Sequence, residues 1–190
     1  MLLRQRPACA LLPLLALSLS TACLAADRHF VGSGASPWAA TPSWSTVQNG
    51  APGASIPGPS DRARFNVGGA GACLILAPVS VGGIWIEAGY AGSVSVATGQ
   101  SVTVGSQGFT QAAASWTGGN GAMTVTGNFL LSAGTFTSTS GILSLAGTFT
   151  QSVGSVFNHG GGTVRPTGSS KTFDVPTTAT FFNLDVKMGL

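Results

Sequence analysis

A near-repeat of about twenty residues over positions 122–163 is the feature that most constrains this chain. Residues 127–136 and 147–157 carry glycine, phenylalanine, serine and glycine at equivalent places. Apolar residues that open successive alternating runs are 20 or 21 positions apart, and they are Val81, Val102, Met123, Leu143 and Val164. A constant period of this length is the signature of stacked structural repeats. We therefore expect a solenoid, in which each repeat contacts only its neighbours.

Each period contains three short runs of alternating polarity, and glycines separate the runs. Alternation at every second residue places one face of each run in a core and the other in solvent. Three such runs in 20–21 residues predict one coil of an all-β, right-handed parallel β-helix. Stacking of the coils would align Phe109, Phe129 and Phe149 in one interior column, and Val102, Met123, Leu143 and Val164 in another. The third run of each period contains Trp116, Phe136 or Phe157.

The composition agrees with an all-β chain. Only 7% of the 190 residues are charged, and 28 are glycine. Few long polar side chains, together with abundant glycine, threonine and valine, favour short strands and turns over surface helices. An antiparallel sandwich also has short alternating strands. It stays an alternative at this point, although it does not require a constant period.

Residues 1–26 have the organisation of a cleaved secretory signal peptide. Arg4 and Arg6 supply the positive start, an apolar stretch follows, and small residues precede a predicted cut after Ala25 or Ala26. The apolar stretch is shorter than the ~20 residues that a transmembrane helix needs, and no later stretch predicts a span. We therefore expect the chain to be secreted or displayed on the cell surface.

Two cysteines deserve separate interpretations. Residues 20–23, Ser-Thr-Ala-Cys, resemble a bacterial lipoprotein cleavage site with its leucine displaced by one position, to Leu19. Cys23 is thus a candidate for lipidation, which would anchor the exported chain; ordinary cleavage beyond it is the alternative. Cys73 has no partner in the mature chain and is expected to be buried on a strand.

Residues 27–66 are rich in tryptophan, proline and glycine, and we expect them to cap the N-terminal end of the solenoid. Trp38 and Trp44 are interpreted as an apolar lid on the first coil, which has no neighbour below it. A platform for stacking on a sugar ring is the alternative. Residues 67–190 are assigned to the coils, with no polar cap after the last one. Either the chain is truncated from a longer surface protein, or its end associates with another copy.

The same segments resemble β-helix modules of bacterial secreted and surface proteins. The motifs that carry the resemblance lie at residues 38–44, 57–65, 79–86, 157–164 and 181–184. They are similar to adhesin-like and pectate-lyase-like solenoids, and to the extracellular domain family named for its eight glycines, over residues 36–186. The resemblance implies a parallel β-helix with an adhesive or structural role, and it implies no catalytic residue.

The charged residues predict no active site. Of eight basic residues Arg4 and Arg6 lie in the leader, which leaves six against five acids and no basic stripe for nucleic acid. No spacing predicts a metal or a cofactor site; His159, in a glycine-rich loop, has no second ligand nearby. If the chain were an enzyme, it would be a polysaccharide lyase or glycoside hydrolase, and Glu87 and Asp174 are the acids in its coils.

Threonine pairs such as Thr124 and Thr126 suggest a flat hydroxylated face that binds glycan or ice. The alternative is that β-propensity alone places threonine on solvent-facing positions. We therefore expect an exported, non-enzymatic structural or adhesive β-helix module of a bacterial surface protein, with a surface glycan or another cell-surface protein as partner. A carbohydrate-active β-helix that binds or cleaves a polysaccharide is the alternative.

Overall fold

A computed structural model describes residues 25–169, 172–176 and 179–186 of the chain. Nearly all of the predicted leader, residues 1–26, and the predicted lipidation site, Cys23, lie outside these ranges. The described residues form sixteen strands and one short 3-10 helix, Thr41–Ser43. The strands are β1 (Asp27–Phe30), β2 (Ser36–Pro37), β3 (Trp44–Ser45), β4 (Arg62–Phe65), β5 (Ala72–Ile75), β6 (Val79–Ile86), β7 (Ser93–Val96), β8 (Val102–Thr117), β9 (Met123–Val125), β10 (Phe129–Thr137), β11 (Ile142–Leu145), β12 (Phe149–Gln151), β13 (Val156–Asn158), β14 (Thr163–Pro166), β15 (Phe173–Asp174) and β16 (Asn183–Leu184).

The strands wind into a parallel β-solenoid of about six turns, as the period predicts. Each turn passes through three faces, which we call A, B and C. Face A stacks β1, β4, the end of β6, the middle of β8, the start of β10, β12 and β15. Face B stacks β2, β5, β7, the ends of β8 and β10, and β13. Face C stacks the starts of β6 and β8, then β9, β11, β14 and β16.

All ladders between successive coils are parallel, so the alternative of an antiparallel sandwich is wrong. One further pairing in the described residues is antiparallel: β3 pairs with β1 at the N-terminal end. Because a parallel ladder joins residues about one coil apart, the backbone of each coil is hydrogen-bonded mainly by the coils above and below it.

The predicted interior columns lie in register. In face A, Phe129 is paired with Phe109 below and Phe149 above, with ring centroids 4.7 and 5.1 Å apart. In face B, Trp116, Phe136 and Phe157 stack at 6.0 and 5.8 Å. In face C, Val102, Met123, Leu143 and Val164 follow one another. All of these side chains are buried. Each contributes roughly 1.5–3 kcal/mol by removing apolar area from water.

One predicted register is wrong by two residues. Val102 is paired with Val79, and Val81 is paired with Val104. Both valines of β6 point inward, so a shift by two keeps the apolar side inside and the sequence pattern does not distinguish the two registers. At the corner where β6 and β8 pass from face C to face A, β8 has two more residues than β6, and the ladder shows a register shift between Val81 and Gly83.

The N-terminal lid is formed as the sequence predicts. Trp38 and Trp44 are 3% and 0% exposed, and their ring centroids are 4.9 Å apart. They pack with Phe30, Phe65 and Tyr90 in one aromatic cluster. The indole nitrogen of Trp44 donates a hydrogen bond of 2.7 Å to the carbonyl oxygen of Trp38. The lid therefore gives the first coil the apolar neighbour that it otherwise lacks.

The C-terminal end is less covered. Phe173 of β15 continues the face A column above Phe149, and Phe181 packs on Phe149 and Phe157. Beyond them, Phe182 is 62% exposed and Leu184 is 47% exposed. The two ends of the described solenoid thus differ in burial, because the aromatic rings over the N-terminal end are buried whereas Phe182 and Leu184 at the C-terminal end are exposed.

We expect Phe129→Ala to lower the free energy of unfolding by about 3–5 kcal/mol, because it removes a buried ring and leaves a cavity. Phe129 is 1% exposed and stacked on both sides. Thr126→Ala, in the same coil but exposed, should change it by about 0.5 kcal/mol or less. Urea denaturation of the two variants measures both. Equal unfolding midpoints would contradict the stacking register.

We expect Ala114→Gly to raise the free energy of unfolding by about 0.5–1 kcal/mol. Ala114 has φ 57°, in the left-handed region, and the equivalent place in the next coil is Gly134, with φ 80°. Glycine removes the steric cost that a Cβ has at this φ, and this gain exceeds its entropic cost. Urea denaturation beside the parent chain is the measurement. A lower stability for Ala114→Gly would show that the corner favours the alanine side chain.

Candidate functional site

The middle of the solenoid surface has no charged side chain. Between Glu87 and Arg165 the sequence contains no aspartate, glutamate, lysine or arginine. This stretch begins at the end of β6 and ends in β14, so it covers the central coils on all three faces. The outward side chains of this stretch therefore carry hydroxyl, amide and apolar groups rather than carboxylate, ammonium or guanidinium groups.

Face B carries a grid of hydroxyl groups over three consecutive coils. The outward positions of its strands are Ser93 and Ser95 in β7, Ser115 and Thr117 in β8, and Thr135 and Thr137 in β10. The ladders place Ser93, Ser115 and Thr135 in one row, and Ser95, Thr117 and Thr137 in a second row.

The spacing of the grid follows from strand geometry. Hydroxyls in one row are about 4.8 Å apart, since that is the distance between hydrogen-bonded strands, and the two rows are about 6.6 Å apart, the length of two extended residues. The residues between the rows are Val94, Trp116 and Phe136, which are fully buried. The grid is thus held from below by the face B core column.

Face C carries a single row of hydroxyls, which includes one of the two predicted threonines. Thr124 is paired with Thr103 below and Ser144 above, and Thr103 is paired with Ser80. Thr126 lies beyond the end of β9 and is exposed. The structure therefore does not place Thr124 and Thr126 in one two-row array. The sequence pattern of threonine pairs did not reveal either array, because serine stands in place of threonine at one or more positions of every row.

Charged side chains gather on the outer side of face A near the N-terminal end. Arg64 donates from Nε to Glu87 Oε1 at 2.6 Å and from Nη1 to Asp27 Oδ2 at 3.0 Å. Arg62 lies 3.6 Å from the Asp27 carboxylate, and its guanidinium carbon is 3.9 Å from the ring centroid of Trp85. The hydrogen bond with Glu87, followed by weaker contributions from Asp27, raises the pKa of Arg64. We call these five residues the ion-pair cluster.

The ion-pair cluster contains two carboxylates, but the other acids lie elsewhere. Glu87 follows β6, whereas Asp174 lies in β15 at the top of face A, about four layers or roughly 19 Å away. The two acids that the sequence offered for catalysis therefore do not converge. Asp61 accepts hydrogen bonds from the backbone N–H groups of Ala26 and Gly58, at 3.1 and 2.9 Å, which is a turn-stabilising role.

A groove of about 370 Å³ runs between the first two coils, at the corner of faces B and C. Its walls are mostly proline and aliphatic side chains, and Leu76 is 57% exposed beside it. No charged residue lines it. The groove can accommodate an apolar group, but it offers few polar groups to orient a reacting substrate.

The structure also shows where the other residues that the sequence suggested for binding lie. Trp38 and Trp44 are buried in the lid, so neither ring presents a face to a sugar. His159 accepts a hydrogen bond on Nδ1 from the N–H of Gly161 and stacks on Phe182. Within the described ranges, no three His, Cys, Asp or Glu side chains are arranged to hold a metal ion. The described part of the chain also has no helix that is long and apolar enough to cross a membrane.

Comparison of the chain with protein-family models, with curated proteins and with solved structures found no match. The β-solenoid is therefore established by the structure, and the site has to be interpreted from its own chemistry.

Cys73 should be inert to thiol reagents in the folded chain. It is 0% exposed in face B, and burial raises the pKa of its thiol, so almost no thiolate forms at pH 8. In residues 27–190 it is the only cysteine. We expect no labelling of the folded chain within the time that labels the urea-unfolded chain completely. Labelling at equal rates would show that face B opens readily at this coil.

Proposed function

We propose that this chain is an exported, non-enzymatic structural or adhesive β-helix module of a bacterial surface protein. The observation that carries the proposal is the two-row hydroxyl grid on face B, which lies in the middle of an uncharged stretch. The partner that fits this surface is a neutral, hydroxyl-rich glycan at the cell surface or in its surroundings.

Hydrogen-bond chemistry supports this partner. Each serine or threonine hydroxyl can donate one hydrogen bond and accept two, so a grid of them matches sugar hydroxyls in either orientation. The grid has no lysine, arginine, aspartate or glutamate with which to bind an ionic polymer. A fixed spacing reduces the entropy that is lost on binding, because the side chains project from strands that are already ordered.

The predicted leader supports export of the chain, and the resemblance to adhesin-like solenoids supports an adhesive or structural role. A secretory signal at residues 1–26 would carry the chain out of the cytoplasm, where neutral glycans are accessible. Adhesin-like solenoids, which the coils resemble, are generally adhesive or structural. Retention at the surface could also come from lipidation of Cys23.

A second candidate function is polysaccharide cleavage, and the ion-pair cluster is the observation that favours it. Asp27 and Glu87 both contact Arg64, next to the half-buried Trp85. A pair of carboxylates is what most glycoside hydrolases use as acid and base or nucleophile. Here both carboxylates are occupied by the guanidinium, so one of them would have to leave Arg64 before it could act as acid or base.

The adhesive role is tested by adsorption of residues 27–190 to insoluble neutral polysaccharides such as cellulose and chitin. We expect adsorption that changes little between about 50 and about 500 mM salt, because salt in this range screens contacts between charges and the grid has none. The double variant Ser115→Lys with Thr135→Lys should reduce it by about tenfold or more, because it places two strongly hydrated charges in the face B grid. The control is Thr110→Lys with Thr150→Lys, which places two lysines two layers apart on the outer side of face A, away from the grid.

Three results would contradict the proposal. The first is no adsorption to any neutral polysaccharide, and the second is equal loss in the control, provided that both variants melt at the temperature of the parent chain. The third is release of soluble sugars that Glu87→Gln abolishes, which would establish the cleavage function instead.

A further inference from the structure

Two asparagines of this chain are each followed by glycine and then by alanine. They are Asn49, in the turn that follows β3, and Asn120, at the corner where the chain passes from face B to face C. Both residues are exposed. A backbone nitrogen that follows an asparagine can attack the side-chain amide, and glycine has no Cβ to obstruct that approach. Because the tripeptides are identical, any difference between the two sites in the folded chain comes from the fold.

The fold holds both groups that would have to react at Asn49. The N–H of Gly50, the attacking group, donates a hydrogen bond of 3.1 Å to the carbonyl oxygen of Val47. The carboxamide of Asn49 lies against Gly68, where an added Cβ would overlap its Oδ1. Asn49 also has φ 56°, in the left-handed region, which the turn fixes. Attack at this site would therefore break the turn and move a packed side chain.

At Asn120 the attacking group is not held, and the amide is polarised. Within the described residues, the N–H of Gly121 donates no hydrogen bond. Oδ1 of Asn120 accepts a hydrogen bond of 2.5 Å from the N–H of Gly99, one coil below. A donor at this oxygen stabilises the negative charge that develops there when a nucleophile adds to Cγ, as in an oxyanion hole. The fold thus favours attack at Asn120 over attack at Asn49.

We propose that Asn120 is a site of spontaneous covalent modification, at which the folded chain converts the side-chain amide to a carboxylate. The backbone nitrogen of Gly121 loses its proton to water and bonds to Cγ of Asn120. The bond from Cγ to Nδ2 breaks, and Nδ2 leaves as ammonia. Water then opens the cyclic imide: opening at Cγ gives aspartate, and opening at the main-chain carbonyl gives isoaspartate. No electrons are transferred, and water is the only other reactant.

Stacking makes glycine necessary after Asn120. A Cβ on Gly121 would overlap the carbonyl oxygen of Gln100 in the coil below. The hydroxyl of Thr139 also donates to the carbonyl oxygen of Gly121 at 2.5 Å, which holds this residue between its neighbouring coils. The reactive pair is therefore a consequence of how closely the backbones approach at this corner.

Conversion gives the central coils an ionic group. Between Glu87 and Arg165 the sequence has no charged side chain, so the new carboxylate lies in a stretch that is otherwise uncharged. Isoaspartate also lengthens the main chain at a corner, where the stack fixes the number of backbone atoms. The proposal does not depend on the function of the face B grid.

The test is to incubate residues 27–190 at mildly alkaline pH, folded and in urea, and to follow both asparagines by peptide mapping with mass spectrometry. In urea the two identical tripeptides should convert at similar rates. In the folded chain Asn120 should convert faster than Asn49 by about tenfold or more, the combined effect of two hydrogen bonds of ordinary strength. Equal conversion in the folded chain, faster conversion of Asn49, or conversion of Asn120 only after unfolding would each overturn the proposal.

Two variants assign the new charge to its source. Isoelectric focusing of the folded parent chain should show an acidic form that accumulates with time. Asn120→Gln should largely prevent this accumulation, because the longer side chain has to close a larger ring. The matched control is Asn49→Gly, which removes the other pair and suits the left-handed φ of that position, and it should leave the accumulation unchanged. An acidic form that accumulates in Asn120→Gln as fast as in the parent would show that the reactive site is elsewhere.

Discussion

Hydrogen bonding between successive coils is the interaction on which the rest of this structure depends. From β4 onward, strands of successive coils are paired with one another about 20 to 25 residues apart in the sequence, and the first two coils are joined across 35 to 37 residues. A coil alone would leave its backbone groups without these partners and would bury almost no apolar area. The fold therefore forms only as a stack, and the requirement for a stack fixes which side chains point inward.

Stacking also divides the side chains into two classes with different freedom. Inward residues must match the residue above and below, and this is why phenylalanine follows phenylalanine in face A and aromatic follows aromatic in face B. Outward residues have no such constraint, and the protein uses them differently along its length. Charges gather in the ion-pair cluster at the N-terminal end, whereas the central coils display hydroxyls, amides and some apolar side chains such as Val153.

The interior could be predicted from the sequence better than the surface could. Phe109, Phe129 and Phe149 are spaced by a constant twenty residues, and a constant spacing is sufficient to align them once stacking is assumed. The register of β6 was predicted wrongly because Val79 and Val81 both point inward, and an alternation of period two does not distinguish which of them is paired with Val102. The ion-pair cluster was missed for a different reason. Asp27, Arg64 and Glu87 come from three coils of unequal length, so their separations in the sequence show no period.

The face B grid could not be predicted from the sequence for a similar reason. Ser93, Ser115 and Thr135 form one row, but they differ in residue type and follow corners of different lengths. The sequence by itself determined the solenoid and its core columns, because the repeat and the alternation act locally or at one fixed spacing. Only the tertiary structure decided which outward side chains are neighbours. That outcome depends on the exact length of every corner, and a change of one residue there turns a side chain from the core to the solvent.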